Sequence, residues 1–184
     1  MSVIEKDADV VNLEELATRI NNLWNLKFLP FHQREALLET LKDEKTTLDE
    51  RMKIAQQIQY VYASIYQTPK VQKGEGFVEK CSAMAHCFDR NVECIAFLHY
   101  HLGDTHWFVT DKEPSIFNGW SESSDVMGWT VNLKDKTCKP GIIDLSEITD
   151  CSPTANLDLE WVPRAYSDAL DRLIKRSAKQ LAKI

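Results

Sequence analysis

The feature that most constrains this chain is a single change of hydrophobic period near Asn91. Before it apolar residues recur roughly every 3.6 positions, and from it to about Val162 alternation prevails, so helices come first and strands follow. Leu13, Leu16, Ile20, Leu23 and Trp24 share one helix face behind a capping-box-like start at Asn12 and Glu15. Pro30 closes that segment, and Ala36, Leu37, Leu38 and Leu41 predict a second helix from Phe31 to Asp43. Lys42 to Thr47 is wholly polar and reads as a turn. Thr47 with Glu50 is a T-x-x-E capping box, and the run from Leu48 to Tyr66 keeps a helical period until Pro69 ends it.

The polar segment Gln67 to Gly76 marks a boundary between a helical N-terminal region, residues 1–68, and an antiparallel-sheet α+β domain, residues 77–184. These parts form either separate units or one compact unit. Phe77, Cys81, Met84, Ala85 and Phe88 predict a short helix over 77–88. A strand then ends at His101, turns through Leu102 to Thr105, and returns as His106 to Asp111. A long polar loop, Lys112 to Ser124, precedes a strand from Val126 to Leu133, and a connection from Lys134 to Gly141 leads into Ile142, Ile143 and Leu145. Ser146 and Glu147 start one helical turn, Leu157 to Val162 reads as a closing strand, and Ser167 to Ile184 as a terminal helix. The expected fold class is therefore α+β, with a helical N-terminal part, an antiparallel sheet of about five strands and a C-terminal helix.

Charge narrows the partners. The chain has 184 residues with 28 Asp and Glu against 22 Lys and Arg, a net charge of -6, which disfavours direct nucleic-acid binding and anionic membranes. There is no apolar run of membrane-spanning length, and Met1 to Val11 is acidic without an apolar core, so a cytoplasmic protein is expected. Five cysteines without a C-x-x-C pair read as free thiols. P-loop, dinucleotide, H-E-x-x-H and G-x-S-x-G motifs do not occur in the chain. The last segment runs against the overall sign: Arg164 to Ile184 holds six Lys and Arg and two Asp. The plainer account is a solvated helix face whose cations near the C-terminus suit the macrodipole; the alternative is a docking surface for an acidic partner.

The segment Thr105, His106, Trp107, Phe108, Val109, Thr110, Asp111, the M-G-W-T-V strand Met127 to Val131, and Gly141 followed by Asp144, Leu145, Ser146, Glu147 and Ile148 resemble the DUF2958 family of small mobile-element proteins. Leu157 to Pro163, followed by Tyr166, Ser167 and Asp168, resembles that family's closing strand and tail. The likeness runs from about Cys94 to Leu170. Where the family carries an E-R-D triplet, this chain has Asp158, Leu159 and Glu160. The resemblance implies an antiparallel sheet and a phage or plasmid setting, and supplies no catalytic residues.

Three constellations could carry chemistry. His99, His101 and His106 fall on one face of the predicted hairpin if His101 lies opposite His106, a His₃ arrangement able to bind zinc with an open fourth position. Half-exposed polar aromatics are the plainer account, with the rings too dispersed to chelate and no cofactor. Cys81 near a helix start and His106 opening a strand match the order of papain-like or transglutaminase-like enzymes, with Asp125 or Asp144 orienting the imidazole. Against this, Cys81 shares the apolar stripe of Phe77 and Met84. His86 and Cys87, adjacent on a helix, point apart and make no pair. Trp120, in a Gly- and Ser-rich loop beside Glu113, Glu122 and Asp125, suits contact with a protein bearing a basic surface. The expected function is thus a non-catalytic accessory protein of a phage or plasmid that binds a host or defence protein through that acidic, Trp-bearing surface. The alternative is a Cys-His hydrolase or transferase, or a His₃ metal-dependent enzyme.

Overall fold

The computed structural model describes residues 12–70, 94–112, 124–150 and 155–181, with side chains as far as 176. Three helices come first: α1 (Leu13–Asn25), α2 (Phe31–Lys42) and α3 (Leu48–Gln67). The Asn12 side chain accepts from the Glu14 and Glu15 amides, and Thr47 and Glu50 form the reciprocal capping box, so the first and third helices begin where unpaired amides find partners. The predicted helix at 77–88 lies outside the described residues.

The strands are β1 (Ile95–Ala96), β2 (Leu98–Leu102), β3 (Thr105–Lys112), β4 (Asp125–Asn132), β5 (Thr137–Asp144), β6 (Asn156–Leu157) and β7 (Arg164–Ala165). A short helix α4 (Leu145–Thr149) follows β5, and α5 (Tyr166–Leu181) follows β7. The main sheet is antiparallel, five-stranded and ordered β5-β4-β3-β2-β6, while β1 and β7 form a separate two-stranded ladder. The α+β class is as the sequence predicts.

Four boundaries differ from the sequence reading. Leu102 pairs with Thr105, so the first hairpin turns on Gly103 and Asp104 alone, and Gly103 supplies a φ of 55° that a Cβ would oppose. The expected strand ending at His101 breaks at Phe97, whose amide donates to Val109, so that β1 pairs with β7 instead of the main sheet. The second connection closes by residue 136, and β5 takes in Pro140 and Gly141. Its edge position explains this, since an edge strand tolerates a residue without an N–H. Finally, the closing strand stops at Leu157: the Trp161 amide donates to the Asp158 carbonyl and the Glu160 amide to the Asp158 side chain, turning the chain away.

Each sheet face meets its own layer. Leu98, Tyr100, Val109 and Val126 join one core with Leu16, Ile20, Ile58 and Ile65 of α1 and α3. The Tyr100 hydroxyl donates to the Phe28 carbonyl at 2.8 Å, tying the α1–α2 corner to the middle of the sheet. On the other face Phe108, Met127, Trp129 and Val131 pack with Ala169 and partly buried Tyr166 and Leu173 of α5. Among the described residues the sheet is therefore an inner layer, with α1 to α4 packed into the core on one side and α5 into the core on the other.

Gly128 is the tightest point. A Cβ there would sit 2.0 Å from the Phe108 carbonyl oxygen, a backbone atom held in the sheet ladder. Gly128→Ala is expected to cost about 2–3 kcal/mol of stability, read as a lowered urea midpoint with the folded circular dichroism spectrum retained.

Candidate functional site

The two-residue turn sets the register that builds the site. With Leu102 opposite Thr105, His101 pairs with His106 and His99 with Phe108, and period-two alternation puts all four on the face toward α5. This is the register the sequence reading requires. The imidazole centroids lie 5.3 Å (His99 to His106), 5.7 Å (His99 to His101) and 6.1 Å (His101 to His106) apart. The rings are therefore clustered on one face.

What the cluster does is decided by its nitrogens. His99 Nε2 lies 3.0 Å from His106 Nδ1, and His99 Nδ1 lies 3.3 Å from Asp158 Oδ2. The nitrogens of His99 are directed at Asp158 and at the neighbouring ring rather than at a common point. Among the described residues no group of three His, Cys, Asp or Glu is placed to hold a metal ion. The result is a chain of hydrogen bonds, Asp158 to His99 to His106. A carboxylate accepts only, so His99 donates from Nδ1; when His99 is neutral its Nε2 accepts from His106 Nδ1–H and His106 Nε2 carries the lone pair.

Asp158 arrives by backbone pairing. Leu157 pairs with Tyr100, and the next amide, of Asp158, donates to the His99 carbonyl at 2.9 Å. The chain then turns and brings Trp161 over His99, with ring centroids 4.8 Å apart and the indole N–H donating to the Ala96 carbonyl at 3.0 Å. Phe108 stacks on the same imidazole at 4.8 Å and 12°. His99 and His106 are each only 8% exposed, so the relay is sheltered by aromatic rings. The hydrogen bond from His99, first, holds the Asp158 carboxyl below the usual carboxylate range against the opposing effect of burial. Burial, reinforced by the charges of His99 and His101, pushes His106 down to about 4, and burial likewise lowers His101.

A pocket of about 220 Å³ opens beside the relay. His99, Asp158 and Trp161 form one wall, and Arg164, Arg172 and Arg176 line it from β7 and α5. The Arg164 guanidinium stacks on Trp161 at 4.8 Å. Arg172 is held by Asp168 one turn earlier on α5 at 2.9 Å. Arg176 makes no ion pair with any described residue.

The predicted carboxylate partners of His106 stand elsewhere. Asp125 lies six residues from Val131, the partner of His106, or about 20 Å along a strand. Asp144 pairs with Asp125 at that same end, where it caps α4 by accepting from the Ser146 amide at 2.9 Å and also bonds the Ser124 hydroxyl. Neither can orient His106; Asp158 reaches it through His99. Cys81, His86, Cys87, Glu113, Trp120 and Glu122 lie outside the described residues. The sequence reading placed Trp161 on a strand and gave Asp158 no role. The available signal was the spacing of Asp168, Arg172 and Arg176, four residues apart and therefore on one helix face.

No family model, curated protein or solved structure matches this chain. Among the described residues no helix is long and apolar enough to cross a membrane.

Because His106 is held neutral, its unfolded form binds a proton at higher pH than its folded form. Its contribution to stability is therefore present above the unfolded value near 6.5 and is lost as pH falls toward about 4. Nitrogen-15 spectra of the imidazoles should show His106 neutral at pH 5.5; an imidazolium signal from His106 at that pH would contradict the assigned relay.

Proposed function

We propose that this protein is a non-catalytic interaction protein of a phage or plasmid, acting in the host cytoplasm, and that the pocket between α5 and the 158–164 segment receives an acidic side chain of a partner protein. The observation that carries the reading is the convergence of Arg164, Arg172 and Arg176 on one small pocket with an aromatic wall. Guanidinium groups suit carboxylate and phosphate recognition because they donate in a planar fork. At about 220 Å³ the pocket holds a group rather than a drug-sized molecule, which fits one side chain of a protein surface. The mobile-element setting rests on the family resemblance alone. The Trp120 loop with Glu113, Glu122 and Asp125 remains a proposed second contact, of opposite sign, for a basic surface on the host or defence protein.

A fluorescein-labelled Glu-rich peptide tests the pocket. Fluorescence anisotropy should show saturable binding that weakens at least roughly tenfold in the Arg172→Glu, Arg176→Glu double variant, while a Lys-rich peptide stays unbound. Tighter binding of single-stranded DNA than of the peptide would overturn the choice of a protein partner.

The enzyme reading keeps one specific observation, the Asp158–His99–His106 relay, since a carboxylate-oriented imidazole is a general-base unit. Iodoacetamide labelling at neutral pH separates the two: the interaction reading expects Cys81 to react no faster than the other four cysteines, and selective labelling of Cys81 would move the assignment to a Cys-His hydrolase or transferase.

A further inference from the structure

The charges around the pocket partly cancel. Arg164, Arg172 and Arg176 contribute three cations, while Asp158 and Glu160 line the same pocket; Arg172 is paired with Asp168, and Glu160 with Lys53 of α3. An anion entering this site with the relay deprotonated meets carboxylates as well as guanidiniums. The buried imidazole in the wall, His99, is a group there that can change this balance by taking up a proton.

We infer that the site binds its anion together with a proton, which the Asp158–His99–His106 relay stores on His99. The inference rests on the pocket being an anion site. His99 faces His101 on β2 and His106 on β3, Asp158, Glu160 and Arg164 on the segment beside it, and Arg172 and Arg176 on α5. Asp158 is its direct partner and favours the cation, whereas the histidines and arginines oppose it. An anion seated among the arginines offsets that opposition and tips His99 to the charged form.

The proton has a route that the hydrogen bonds define. It adds from water to the His106 Nε2 lone pair, and the Nδ1 proton of His106 moves to His99 Nε2. His106 ends neutral in its other tautomer, and His99 ends as an imidazolium donating to Asp158 from Nδ1 and to His106 from Nε2. One proton is taken from solvent and none is lost. The depressed basicity of His106 keeps the charge from resting there. Affinity for the anion must then fall as pH rises, because the proton-bound form is the one that binds.

Inorganic sulfate is the probe, since it stays a dianion across the whole range used, and the protein is dialysed against EDTA beforehand. Titration calorimetry should show sulfate binding roughly tenfold more tightly at pH 5.5 than at pH 8. In two buffers of different ionisation heat near neutral pH, it should report an uptake approaching about one proton per bound anion. His99→Gln, which can still donate to Asp158 but cannot titrate, should bind with pH-independent affinity, and Arg176→Ala should weaken binding at every pH. The buffer comparison needs only the natural protein, so a variant that fails to fold leaves the test intact. Sulfate binding with equal affinity at both pH values and no proton uptake overturns the proton link while leaving the anion pocket standing. No sulfate binding at any pH overturns the anion pocket itself.

Discussion

The pairing of β2 with β3 is the constraint on which the rest of the structure depends. A turn of two residues, Gly103 and Asp104, leaves one register, and in a strand pair a shift by one residue would send every side chain to the opposite face. In the register adopted, Leu98, Tyr100 and Val109 face the N-terminal helices, while His99, His101, His106 and Phe108 face α5. The same ladder that closes the main core thus gathers three imidazoles on the other side. The aliphatic residues make any slip expensive, since it would expose them and bury the histidines beneath α1 and α3.

Burying imidazoles and a carboxylate under aromatic rings is unfavourable unless their polar atoms find one another. Here the two needs are met together: Asp158 accepts from His99 and from the Glu160 amide, and His99 and His106 satisfy each other. The aromatic cover then helps to position the group it shelters, with Phe108 and Trp161 enclosing His99. Trp161 is fixed in turn by its hydrogen bond to Ala96, a residue of the small β1–β7 ladder. That ladder also delivers Arg164 to the pocket, so a two-residue strand pair positions both an aromatic wall and a cation.

The opposite end of the sheet solves a different electrostatic problem. Lys112, at the end of β3, is buried, and its ammonium donates to the Ile65 carbonyl in the last turn of α3. A cation at a helix C-terminus is favoured by the exposed carbonyls and the macrodipole. Burial, with the nearby charge of Lys70, lowers the ammonium to about 8. Together with the backbone bond from Lys112 to Pro69, this locks the third helix to the sheet. Asp125 and Asp144 belong to this end, and their work is to start a strand and cap α4, which is why neither serves the histidines.

The amino-acid sequence by itself determined the α+β class, the capping of α1 and α3, and the alternation that sets His99 and His101 on one face. These follow from local rules: hydrophobic period, side-chain caps and turn residues act within a few positions of one another. It also made the convergence of His101 and His106 readable, because a short hairpin is a local object. Only the tertiary structure decided that Asp158 is the carboxylate of the cluster, since that contact spans β2 and a segment 59 residues later and follows from the pairing of β6 with β2. The pocket is likewise non-local. Arg172 and Arg176 read as a solvated helix face in the sequence, and they line a site because α5 packs its Ala169 and Leu173 stripe on the histidine face of the sheet. Local patterns specify elements and faces, whereas which polar groups meet across the core is settled when those faces pack.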